Sequence, residues 1–215
     1  MNTIELTSQQ IKQAGIIAIL RGDFSTDDML RIGEALLAGT VTTMEVTLNS
    51  PSALEALPQL RERFGETMLV GAGTVRDASL ARHAIDAGAQ FMVAPNFDAE
   101  TFAVAHSQGV LHLPGIFTAS EAQTAFVAGC RMLKLFPMVG ESGPAYLKAL
   151  RGPLNDIDFV PTGGISLENI ADYARAGAVA VGLGSKLVLD RNQSSADLTA
   201  QAAALREAWE AAKNG

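Results

Sequence analysis

Alanine-rich helical patterns that end at glycine and run straight into short apolar stretches recur along this chain, and the recurrence predicts a (β/α)8 barrel of the TIM type. Three observations carry that expectation. The stretches "LLAGTVTTMEV", "AIDAGAQFMVAP", "SQGVLHLPGI", "FVAGCRMLKLFP" and "ARAGAVAVGLG" share one pattern, turning at Gly39, Gly88, Gly109, Gly129 and Gly177, and "RFGETMLVGAG" repeats it at Gly65. With "IIAILR" and "IDFVPTGG" added, eight strand candidates start near residues 16, 41, 68, 90, 110, 131, 157 and 178. No linker, low-complexity tract or shift of composition divides the chain, so residues 1–215 read as one domain. An open doubly wound sheet is the competing arrangement of the same units.

Element by element, "TSQQIKQAG" precedes the first strand and reads as an extra N-terminal helix, placed by expectation over the bottom of the barrel. "IIAIL" is the first strand and delivers Arg21 to its C-terminal end, the end at which barrel sites form. Helical patterns such as "TDDMLRIGEALLAG" and "SLENIADYARAG" fill the gaps between strands, with Ser or Thr at their starts as N-caps. Each glycine just past a helix is expected to take the left-handed conformation that closes the last turn.

At 215 residues, with 48% hydrophobic and 18% charged residues, the chain can bury a sizeable core. A formal net charge of -7 excludes nucleic acid as the main partner, because phosphate backbones need a basic footprint. A small anion needs only local positive groups and is not excluded. Cys130 is the only cysteine, so no intrachain disulfide or CxxC metal site exists. His83, His106 and His112 lack HxH or HExxH spacing, so a catalytic metal is not expected. With no basic leader and no long apolar run, a soluble cytoplasmic protein is the expectation.

Strand side chains alternate between faces, and this parity isolates two charges. In "RMLKLFP", Lys134 shares a face with Met132 and Phe136, opposite Leu133 and Leu135. In "TTMEVTL", Glu45 shares a face with Thr43 and Thr47, opposite Met44, Val46 and Leu48. The helix-facing side of a barrel strand is apolar, so Glu45 and Lys134 are expected inside. They could form a structural ion pair there, or Lys134 could snorkel from the strand end. A chemical use competes with both. Burial lowers a lysine pKa and makes the amine a nucleophile toward carbonyls; the imine is then an electron sink, and a nearby carboxylate can move protons.

Glycine-rich turns, "VPTGGIS" and "VGLGSKL", follow the last two strands, where barrels often bind phosphate on backbone N–H groups. Either turn alone could be no more than a tight loop. "VGAGTV" lacks the GxGxxG spacing, which excludes a dinucleotide site. Arg21 is either an anion clamp or a rim salt bridge.

Taken in order, "IIAILR", "MEVTL", "VGAGTV", "LPGI", "LKLFP" and "PTGGI" resemble the family of 2-keto-3-deoxy-6-phosphogluconate (KDPG) and 4-hydroxy-2-oxoglutarate (KHG) aldolases. The resemblance implies a homotrimeric (β/α)8 barrel without metal or cofactor, cleaving a 2-keto-4-hydroxy acid to pyruvate and an aldehyde. It implies that Lys134 is the Schiff-base lysine and Glu45 the general acid/base. Arg21 and Thr74 match substrate-binding positions, and Thr162, Gly163, Gly164, Gly184 and Ser185 fall where the family holds substrate and its phosphate. Many members follow "EVTL" with Arg; this chain has Asn49, which can hydrogen-bond the substrate carboxylate but carries no charge. "LNSP" and "VAPN" look more like members acting on the galactonate epimer, so the C4 preference stays open. A phosphate-binding isomerase and a non-catalytic binding protein are the more distant alternatives.

Overall fold

The computed structural model describes residues 2–139 and 143–214. Nine parallel strand segments run β1 (Ile16–Leu20), β2 (Thr43–Thr47), β3 (Leu69–Gly73), β4 (Phe91–Val93), β5 (Leu111–Leu113), β6 (Gly115–Ile116), β7 (Met132–Leu135), β8 (Asp158–Pro161) and β9 (Val181–Leu183). They pair in the order β5-β4-β3-β2-β1-β9 and, separately, β6-β7-β8. β5 and β6 are one barrel strand interrupted at Pro114, whose carbonyl accepts from Lys134 N at 2.9 Å. The other seam is closed by a bridge between Thr162 and Gly182 and by Val179 N donating to Phe159 O at 3.1 Å. The ring therefore has eight barrel strands, each starting within a few residues of its expected place.

Burial follows parity. Ile17, Leu69, Phe91, Leu113, Met132 and Val160 form the interior cluster, while Ala18, Met44, Val70, Leu133 and Phe159 belong to the larger layer under the helices. The N-terminal helix α1 (Thr3–Ala14) starts at a capping box in which Asn2 and Glu5 satisfy each other's backbone N–H. It covers the bottom of the barrel. Its wholly buried Ile11 joins the interior cluster, and Lys12 pairs at 2.5 Å with Asp158, the first residue of β8. A side chain at Gly15 would run into the indole of Trp209, which anchors the C-terminal helix Ser195–Asn214.

Two local expectations need correction. Gly39 closes the helix Thr26–Ala38 at φ -87, and the next residue, Thr40, takes the left-handed turn at φ 63. Gly39 is required by packing instead, since a Cβ there would lie 2.5 Å from Ala202 Cβ and 2.7 Å from Thr199 O. Gly65 likewise has an ordinary right-handed conformation, at φ -57. In "SLENIADYARAG" the helix begins only at Ile170, behind Asn169, and Ser166 accepts backbone bonds in the turn before it. In "TDDMLRIGEALLAG" the cap is Ser25, one residue before the expected Thr26, accepting from Asp28 N.

Candidate active site

The C-terminal mouth of the barrel holds a cavity of about 230 Å3. Arg21, Lys134, Thr162, Gly163, Gly164, Gly184 and Ser185 line it, so seven of the residues expected at a site meet around one space. Ile19, Phe136, Gly182, Lys186, Val188 and Leu189 complete much of the wall. Glu45, Asn49 and Thr74 do not line this cavity; Glu45 lies buried in the barrel interior. Asn49 lies exposed in the turn after β2, and Thr74 follows β3 half-buried at φ 60, unusual for a β-branched residue.

Strand register explains how the two buried charges find room inside the barrel. Lys134, the third residue of β7, lies between Gly115 and Val160 on its neighbours, so no side chain crowds it from β6. Glu45, the third residue of β2, pairs with Ile19 on β1 and with Gly71 on β3. Its carboxylate leans toward the mouth over Gly73, where an added Cβ would lie 2.5 Å from Oε1. Gly71 in turn leaves room for the Phe91 ring, 2.5 Å from its virtual Cβ. The glycines of "VGAG" therefore clear space inside the barrel, which is why the stretch has glycines without a dinucleotide spacing.

Both groups are buried, with Glu45 1% and Lys134 3% exposed. They do not form an ion pair with each other or with any other described residue. Glu45 Oε1 has no hydrogen-bond partner, and the Lys134 Nζ sits 4.8 Å from the Phe136 ring centroid. Burial pushes the Glu45 carboxyl above the usual carboxylate range, against the pull of Lys134 and Arg21. Burial also pushes the Lys134 amine down; Glu45 opposes that shift and Arg21 reinforces it. An unpaired, desolvated amine has the property a carbonyl nucleophile needs, and an unpaired carboxyl can carry a proton. The structural ion pair weighed from sequence is thus absent among the described residues.

Across the cavity, Gly163 and Gly164 have φ 98 and φ 65, a conformation that other residues rarely adopt. A Cβ on Gly164 would sit 2.5 Å from Met138 O. Gly184 O accepts from Leu187 N and Val188 N at 2.8 and 3.0 Å, so a helical turn starts at Gly184 and Ser185 and Lys186 lie in its first positions. Arg21, Lys134 and Lys186 line the cavity and, among the described residues, no carboxylate does, which makes the wall locally cationic in a chain of net charge -7. Sequence reasoning passed over Phe136 and Lys186 as site residues. Parity already put Phe136 on the Lys134 face, and Lys186 directly follows the Gly184–Ser185 turn.

A (β/α)8 barrel whose mouth opens onto a desolvated, unpaired lysine with a buried carboxyl nearby defines a class I, Schiff-base carbon–carbon lyase. The family described as KDPG and KHG aldolase matches residues 7–203. The chain belongs to that aldolase family. It is 41% identical to the 2-dehydro-3-deoxy-phosphogluconate aldolase of Pseudomonas aeruginosa over 75% of this chain and 73% of that one. It is 38% identical to the 2-dehydro-3-deoxy-6-phosphogalactonate aldolase of Escherichia coli K12 over 88% and 91%. Among solved structures, the native KDPGal structure superposes with a TM-score of 0.87 at 36% identity, covering 93% of this chain and 96% of that one. The KDPG aldolase of Legionella pneumophila, with pyruvate captured as a covalent carbinolamine, superposes at 0.78 and 29% identity over 94% and 95%.

Proposed function

We propose that this protein cleaves 2-keto-3-deoxy-6-phosphogluconate to pyruvate and glyceraldehyde 3-phosphate through an imine on Lys134. The observation that carries the reading is that Lys134 and Glu45 share the barrel interior without bonding to each other. Neutral Lys134 adds to the C2 carbonyl, and loss of water from the carbinolamine gives the iminium. Glu45 takes the proton of the C4 hydroxyl as the C3–C4 bond breaks, and the bonding pair moves into the iminium to form an enamine. The aldehyde leaves. Glu45 returns its proton to C3, and water hydrolyses the resulting pyruvate imine. Protons balance within the cycle, and the imine supplies the electron sink, so the chemistry calls for neither metal nor cofactor.

In this reading Arg21, Thr74 and Asn49 serve the carboxylate side of the substrate. Thr162, Gly163, Gly164, Gly184 and Ser185 serve its phosphate side, with Lys186 adding charge. The galactonate epimer is the second reading, favoured by the 88% coverage of the E. coli relative and by the native KDPGal superposition. A homotrimer in the cytoplasm remains the expected setting. One structural neighbour is a cage designed by fusing symmetric oligomeric domains, which supports an oligomeric assembly. No helix among the described residues is long and apolar enough to cross a membrane.

A coupled assay of pyruvate release tests the assignment on the gluconate and galactonate phosphates and on 4-hydroxy-2-oxoglutarate. The highest kcat/KM is expected on the gluconate phosphate. A preference for its epimer would move the assignment to the second reading, and no pyruvate from any of the three would overturn both.

A further inference from the structure

We propose that the hydroxyls of Thr47 and Ser50 form a clamp on the backbone either side of Arg21, making Ser50 a positioning residue for recognition of the substrate's anionic groups. The inference rests on the reading of Arg21 as substrate-binding. Arg21 stands exposed at the mouth just past β1, lines the cavity, and pairs with no acidic side chain among the described residues. A guanidinium on a long stem loses rotamer freedom when it grips an anion, so a fixed backbone base improves its aim.

That base is built by one side chain at the end of the next strand, Thr47, and one in the turn that follows it, Ser50. Gly22 N–H donates to Ser50 Oγ at 3.1 Å, Ser50 and Thr47 hydroxyls lie 3.0 Å apart, and Thr47 Oγ1 donates to Leu20 O at 3.3 Å. One direction satisfies the chain. Gly22 N–H gives to Ser50, Ser50 gives to Thr47, and Thr47 gives to Leu20 O, each hydroxyl accepting once and donating once. Ser50 is 5% exposed and Thr47 0%, so water does not compete for these bonds. The clamp is itself anchored, because Ser50 N donates to Thr47 O at 2.8 Å and Ala53 N to Ser50 O at 3.2 Å. Both flanks of Arg21 are thus tied to the strand that carries Glu45. The turn itself is made at Gly22, at φ 143.

A purely structural stitch between two loops would hold the same atoms, so the test is a double-mutant cycle read in binding. Calorimetric titration uses 3-phosphoglycerate, which carries both a carboxylate and a phosphate, on wild type, Ser50→Ala, Arg21→Ala and the double variant. Ser50→Ala is expected to weaken binding by roughly three- to tenfold and to raise KM alike, with kcat little changed. Ser50→Thr should restore most of the affinity, and Ser50→Ala should add no further loss when Arg21 is already Ala. Wild-type affinity in folded Ser50→Ala, or an equal loss with and without Arg21, would overturn the clamp's role. So would a wild type that does not bind the probe. If Ser50→Ala does not fold, Ser50→Cys, which keeps the volume and weakens both bonds, is read in the same way. The titration needs no turnover, so a wild type that binds the probe but cleaves none of the keto acids would sink the proposed substrate while leaving the clamp standing or falling on the cycle.

Discussion

Replacing Gly73 by Ala adds one methyl group where the Glu45 carboxylate already fills the space. The new Cβ would lie 2.5 Å from Glu45 Oε1, 2.8 Å from its Cδ and 3.1 Å from Thr47 Cγ2. Carbon–oxygen contacts settle near about 3.3 Å, so the carboxylate must retreat by roughly 0.8 Å. Gly73 does not have a left-handed backbone, so Ala fits the main chain and the perturbation is steric. A displacement of about 1 Å in a reacting group can cost about 10²-fold, within the range a positioned acid/base supplies. Overpacking should also lower stability by about 1–3 kcal/mol. The assay is exchange of pyruvate's methyl protons in heavy water, followed by NMR, alongside borohydride trapping of the imine. Trapping should persist while exchange slows by about two orders of magnitude. In a Glu45→Gln background the added methyl should cost almost nothing further. Exchange at the wild-type rate in a folded Gly73→Ala protein would refute the argument that the glycine makes room for the acid/base.

Further outcomes follow from the same geometry. Glu45→Gln should still form the pyruvate imine but exchange methyl protons about 10²–10⁴-fold more slowly, by the same NMR assay. Because the Glu45 pKa is raised on folding, the stability it contributes is complete below the ordinary glutamate value of about 4.3 and is lost as pH rises through the folded value. Thermal unfolding should therefore show Glu45→Gln more stable than wild type at neutral pH, with the advantage vanishing as pH falls to that ordinary value. Ser185→Asp should raise KM for the phosphorylated substrate and leave cleavage of unphosphorylated 4-hydroxy-2-oxoglutarate almost unchanged, as measured by pyruvate release. Lys134→Arg should be folded by circular dichroism and inactive, since a guanidinium stays protonated and cannot form an imine.

Most of this fold is written in local pattern. Strand starts follow from the glycine-to-apolar switch, and the inward placement of Glu45 and Lys134 follows from period two, because each depends only on near neighbours in the chain. What parity cannot supply is height along the barrel or the course of the loops. Asn49 and Thr74 both follow strands, and turn geometry at their positions, which local pattern does not give, decides where they stand: Asn49 exposed and Thr74 half-buried. Pro114 splits the fifth barrel strand because it lacks an N–H for the ladder, and only the pairing of both neighbours reveals that β5 and β6 are one. Gly39 follows a helix and was read as a left-handed cap. Its true constraint is the approach of Ala202, far away in sequence, which no local pattern encodes. Lys186 was visible in "VGLGSKL", but its place on the cavity wall depends on the turn that begins at Gly184.

The central claim is that Lys134, desolvated and unpaired inside the barrel, is the amine that bonds the substrate carbonyl. Reducing a mixture of the protein and pyruvate with borohydride at neutral pH, then mapping the modified peptide by mass spectrometry, tests it most directly. The account predicts a single pyruvate-derived adduct on Lys134, with activity lost in proportion and no labelling in Lys134→Arg. An adduct on Lys12, Lys148, Lys186 or Lys213 instead, or full activity after saturating treatment with no adduct at all, would contradict it.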